Sequence, residues 1–155
     1  MFDVGTRDAL LAVGHHLSVF VFTAFLAIEV ALLRVRLGAP GLRFLSRIDG
    51  SLGILTFVIA FVGVARVIWG AVPADYYLEN WLFWTKMGFL SVLSFFTFVP
   101  GIRIQRWHKA AAADPAYEVS TSDLTYVRRA LWVEVALLIP VPIAAALMAR
   151  GYGVF

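Results

Sequence analysis

The chain has 155 residues, of which 61% are hydrophobic and only 15% charged, with a formal charge of +3. Soluble domains are roughly 45–50% apolar and about 25% charged, so a soluble domain is excluded and the length suits one membrane-embedded domain. The basic residues fall in short segments between apolar runs, which reads as membrane topology and not as a nucleic-acid surface. With no cysteine, disulfides, thiolate metal sites and thiol catalysis drop out, and neither a G-x-S-x-G elbow nor a Walker pattern is present.

A span needs about 20 mostly apolar residues, and four segments qualify, at about 9–33, 52–70, 81–100 and 124–149. None shows the two-residue alternation of barrel strands, so the expected fold is all-α, an antiparallel four-helix bundle in the membrane. Asp3 and Asp8 flank Arg7 where a signal peptide would be positive, and no small-residue cleavage site closes the first apolar run, so the first span is expected to stay.

The first span carries His15, Ser18, Phe22, Phe25 and Glu29 at alternating steps of three and four, one helical stripe that should face the bundle. His16 is turned about 100° away and aligns with Thr23, Ala27 and Ala31, a small-residue seam suited to packing or to an interface between copies. Gly38-Ala39-Pro40-Gly41 is expected to break the first connection, and Asp49-Gly50-Ser51 to cap the second span. The second span ends near Arg66, and a short acidic loop with Asp75, Tyr76, Tyr77 and Glu79 leads to the third, which carries Trp81, Trp84 and Lys86. Residues 110–122 form the one stretch long enough to be partly disordered, and Asp123 is expected to cap the fourth span, which should bend at Pro140 and Pro142.

Nine of the thirteen Lys/Arg residues lie in the connections between spans one and two and spans three and four or at the start of span four, including Arg34, Arg43, Arg47, Arg103, Lys109 and Arg128. The positive-inside rule makes that side cytoplasmic and both termini periplasmic or extracellular, N-out and C-out. Trp69, Tyr76, Tyr77, Trp81 and Trp84 then belong to the outer aromatic belt, and Trp107 and Trp132 to the inner one.

Ionisable groups inside a span cost about 2.5–3.5 kcal/mol at its centre on insertion scales, so each should face protein, water or a ligand. His15, Arg66 and Lys86 come out roughly 6–10 Å inside the outer edge of their spans, on three different helices at one level. Glu29 and Glu134 fall towards the other side, where Arg34, Arg128 or Arg129 is expected to pair with them. Imidazole ligates haem iron, cations can hold haem propionates, and aromatics can flank the ring. The candidate cofactor residues are therefore His15, His16, Arg66, Lys86, Tyr76 and Trp84, with His15 preferred to His16 as the metal ligand; a quinone head or an oxyanion would suit the same groups.

The motifs His15-His16, Gly63-Val64-Ala65-Arg66, Tyr76-Tyr77, Phe83-Trp84-Thr85-Lys86-Met87, Leu131-Trp132-Val133-Glu134 and Leu147-Met148-Ala149-Arg150-Gly151 resemble the small bacterial four-span family catalogued as domain of unknown function 2214. That resemblance spans nearly the whole chain and implies a multi-pass protein of the bacterial inner membrane. A more distant likeness, to the HemJ-type protoporphyrinogen oxidases, implies an oligomeric haem b protein in which His15 or His16 would be axial and Lys86 would match the family lysine.

Three function classes follow: a b-type haem redox protein, expected to form a homo-oligomer such as a dimer and to meet a quinone or other redox partner; an accessory or assembly subunit without cofactor; and a small-anion or metal transporter. Three methionines and no cysteine offer little soft-metal ligation.

Overall fold

The computed structural model describes residues 3–155, which form six helices: α1 (Val4–Leu32), α2 (Ala39–Trp69), α3 (Ala74–Leu78), α4 (Trp81–Ala113), α5 (Thr121–Leu138) and α6 (Pro140–Met148). With α5 and α6 forming one crossing, four helical segments of 28 to 33 residues are long and apolar enough to span a bilayer. Their outward faces are greasy: Phe20, Phe57 and Phe61 are 69%, 67% and 70% exposed. An apolar belt of this kind is tolerated against lipid and not against water.

Successive crossings run antiparallel. α1 packs along α2, α2 along α4, α4 along α5 and α6, and α5 returns to α1, whereas α1 touches neither α4 nor α6 among the described residues. Both termini therefore share one end of the bundle with α3, and the arginine-rich connections lie at the other. The bundle closes on itself through α1 and α5, while α1 and α6 make no close backbone approach.

Two cores match that division. The larger joins Phe22 and Leu26 of α1, Leu45 and Leu52 of α2, Leu93 and Ile104 of α4 and Val127 and Leu131 of α5. The smaller, at the terminal end, joins Leu82 and Phe83 of α4 to Ala144 and Met148 of α6, with Val67, Tyr76 and Tyr77 against it and nothing from α1.

Local signals explain the helix ends. Asp3 caps α1 by accepting from the Thr6 N–H at 2.9 Å, and Ser120 caps α5 by accepting from the Asp123 N–H at 3.2 Å. Asn80, fully buried, accepts from the Leu82 N–H at 3.0 Å to start α4. Its amide also donates to the Tyr152 carbonyl at 2.9 Å while the Trp81 N–H donates to Gly153 at 2.9 Å, so the C-terminal tail folds back over the α3–α4 junction. Gly153 makes that fold at φ +89°, a backbone region open to glycine.

Several expectations are corrected. Asp49 is no cap: α2 begins thirteen residues before the expected span, at Ala39 with Gly38 as cap and Pro40 in the first turn, and Asp49 lies buried in mid-helix. A proline at a helix start lacks only a donor that would be unused there, so Gly38-Ala39-Pro40 opens α2. Asp123 sits in the first turn of α5 and pairs with Arg103, leaving the cap to Ser120. The 110–122 stretch shrinks, because α4 continues to Ala113 and α5 opens at Thr121, with Tyr117 and Val119 packed on the core. Trp107 is buried in that core and is no interfacial anchor, since the packed face of α4 extends to its level. Pro140 and Pro142 interrupt the fourth crossing at Ile139, as donors missing from the ladder require, while α4 continues through Pro100.

Candidate functional site

The α1–α2 register is set by Arg7 Nε, which donates to the Trp69 carbonyl at 2.7 Å, and by His15, whose Cε1 lies 3.5 Å from where a β-carbon on Gly63 would stand. The α2–α4 register is set by Asp49 against Gly101 and Gly53 against Phe98. Carried along the two helices, it brings Arg66 level with the turn that holds Lys86. His15, Arg66 and Lys86 thus share one layer near the terminal end. The charges of Arg66 and Lys86 both act on the His15 ring.

This layer is short of acceptors. His15 Nδ1 and Arg66 Nε are buried without any hydrogen-bond partner. The Lys86 ammonium lies 5.3 Å from the centroid of its own helix's Phe83 ring. Among the described residues the one ion pair is Arg103 with Asp123, at the other end of the bundle. Two cations and an imidazole, with no carboxylate among them, make a layer suited to an anion.

The other candidates are placed differently. The His16 ring is exposed, and its Nδ1 donates to the Ala12 carbonyl of its own helix at 2.7 Å. It stands edge-on to His15 at 6.1 Å between ring centroids and faces away from the layer. Thr23, Ala27 and Ala31 line the same outward face. Tyr76 spends its hydroxyl on the Met148 carbonyl, tying α3 to α6. Trp84 is 54% exposed and donates to the Leu78 carbonyl at 3.0 Å, in the place of a lipid-facing anchor. Tyr77 is the aromatic that borders the layer: its ring lies 5.8 Å from Phe83, and burial raises its phenol above the ordinary range against the opposing Arg66 charge.

A second polar layer lies towards the arginine-rich end, and its membership differs from expectation. Glu29 and Glu134 do not pair with Arg34, Arg128 or Arg129. Arg128 instead donates to the Leu33 carbonyl at 2.7 Å, one of the free carbonyls at the end of α1. Glu134 accepts from Thr97 at 2.6 Å, and Asp49 accepts from Gln105 at 2.8 Å. Glu29 is 2% exposed and makes no side-chain hydrogen bond among the described residues. Three carboxyl groups from α1, α2 and α5 therefore lie in the same half of the bundle, two of them held from α4 by Thr97 and Gln105 two turns apart. The sequence held a signal for this: Thr97, Gly101 and Gln105 recur at steps of four, one small and polar face of α4.

A family model described as "Predicted membrane protein (DUF2214)" matches residues 7–153. The chain belongs to that family. No curated protein and no solved structure matches it. The match takes in all four crossings of this DUF2214 protein and both of its polar layers.

Proposed function

We propose that this DUF2214 protein is a b-type haem redox protein of the bacterial inner membrane, with the terminal end outward. The observation that supports it is the pair of buried nitrogens without a hydrogen-bond partner, His15 Nδ1 and Arg66 Nε, on the helices that pack at His15 and Gly63. Haem b would use both residues together with Lys86: an imidazole nitrogen for the iron and two cations for the propionates. Such a group would supply one-electron chemistry. The chain's own part is to position and to balance charge: α2 holds the imidazole against Gly63, while Arg66 and Lys86 offset two carboxylates that hydrocarbon would otherwise repel.

A free oxyanion fits the same donors without needing iron, and with His16 turned away the layer holds one imidazole and no second axial ligand. That favours either five-coordinate iron or, as the second reading, a small-anion site. Oxidised and dithionite-reduced spectra of detergent-purified protein separate them. Reduced-minus-oxidised bands at b-type positions are expected; a spectrum without a Soret band removes haem and leaves the anion site or an accessory subunit.

A further inference from the structure

The second polar layer opens sideways. Between α2 and α4 runs a groove of about 530 Å³, with Arg106 and Lys109 at its arginine-rich mouth, Asp49 and Gln105 in its middle and Thr97, Phe57 and Phe98 at its deep end. Glycines make the room: a β-carbon on Gly50 would meet nothing within 4 Å, and one on Gly101 would come within 2.6 Å of Asp49 Oδ1.

The polar middle has an excess of acceptors. Gln105 Nε2 donates both to the Ser46 carbonyl at 2.9 Å and to Asp49 Oδ2 at 2.8 Å, which spends its hydrogens and leaves its oxygen. The Ser46 carbonyl fixes which way the amide points, since the flipped form would set oxygen against oxygen. The single Thr97 hydroxyl hydrogen is taken up between Glu134 at 2.6 Å and the Leu93 carbonyl at 3.1 Å. Asp49 Oδ1, the Gln105 oxygen and the Thr97 oxygen thus lack donors, and Asp49 is only 8% exposed. Acceptors that open onto the groove without a donor suit a ligand that brings hydrogens.

Charge and shape narrow the ligand further. Arg106 and Lys109 at the mouth disfavour an ammonium group and favour a neutral hydroxyl. A phospholipid held by those cations would have to lay its acyl chain across Asp49, burying a carboxyl against hydrocarbon. Beyond the polar middle, Phe57 and Phe98 sit 5.5 Å apart at 46° and offer apolar aromatic surface, roughly 12 Å along α2 from Asp49.

We propose that this groove binds a lipid-soluble phenolic amphiphile of the hydroquinone class, its hydroxyl donating to Asp49 and Gln105 and its apolar tail running over Phe57 and Phe98. The site lies apart from the His15 layer and does not depend on haem being present there.

The test is equilibrium binding of a short-chain prenylated hydroquinone to the detergent-purified protein under anaerobic reducing conditions, with the oxidised quinone and phosphatidylglycerol as separate arms. One hydroquinone per chain should bind, the quinone at least about tenfold more weakly because it lacks the O–H donors. Gly50→Leu, whose β-carbon has room and whose side chain would enter the groove, and Asp49→Leu, which removes the acceptor, should each weaken binding by about tenfold or more. Thermal melting of each variant shows which are folded, and either folded variant decides the matter. Binding that survives in a folded variant, or that is equal for quinone and hydroquinone, overturns the proposal. So does saturable phosphatidylglycerol binding that displaces the hydroquinone and is lost in Arg106→Ala, which would make the groove a phospholipid site.

Discussion

Asp49 fits inside the bundle because residue 101 is a glycine: a β-carbon there would come within 2.6 Å of the carboxylate oxygen. Both residues are buried where α2 crosses α4, and the Asp49 carboxylate, held by the Gln105 amide at 2.8 Å, would have to give up that bond to swing aside. Gly101→Ala should therefore destabilise the protein by about 1–3 kcal/mol, the usual cost of overpacking a tight core. Thermal unfolding in detergent measures it. Gly88→Ala, at a helical glycine of α4 whose added β-carbon meets nothing within 4 Å, is the control that should leave the melting temperature unchanged or slightly raised. Equal melting of the two variants would contradict the close approach.

Thr97 is the donor that lets Glu134 stay inside the bundle, through the 2.6 Å hydrogen bond across α4 and α5. Thr97→Val keeps the shape and removes the hydroxyl, leaving a buried carboxyl oxygen unsatisfied at a cost of about 1–3 kcal/mol. Thr97→Ser should restore most of it. A denaturation series in which valine and serine behave alike would show that the hydroxyl contributes nothing.

The C-terminal tail depends on Asn80, whose side chain both starts α4 and holds the Tyr152 carbonyl. Asn80→Ala removes both contacts, so residues after Met148 should exchange amide hydrogens faster and be cut sooner by protease. Hydrogen exchange resolved to the last ten residues would show it. Unchanged protection in the tail would count against the latch.

The four crossings were legible because an apolar run of about 20 residues has no other stable use, and the His15 stripe because its spacing follows the helical period. What hydropathy misses is helix outside the hydrocarbon. α2 starts at Ala39 and α4 ends at Ala113, thirteen residues beyond the apolar runs in each case. Asp49 lies on one of those hidden turns, which is why it resembled a cap and not a member of a buried carboxyl layer. Tyr76 and Trp84 escaped for a different reason. Tyr76 is turned to the Met148 carbonyl of α6, seventy-two residues on, and Trp84 to the Leu78 carbonyl across the α3–α4 junction, and helical spacing encodes neither contact.

Orientation follows from charge. The nine Lys/Arg residues in and beside the two connections lie at the end opposite both termini, so that end should be cytoplasmic. Reporter fusions after Arg36 and after Phe155 should report opposite sides, the first inside. A periplasmic signal from the Arg36 fusion would invert the assignment.

The central claim is that His15, Arg66 and Lys86 hold haem b together, and haem content with absorption across a set of variants tests it most directly. Wild-type protein and His16→Ala should carry haem with the same reduced band. His15→Ala should lose it, because on this proposal the imidazole would hold the iron. Arg66→Ala and Lys86→Ala should keep the band position but release haem more readily, since each would lose a charge-assisted contact of about 1.5–3 kcal/mol at the periphery. Haem absent from the wild type, or retained unchanged in His15→Ala, would contradict the account.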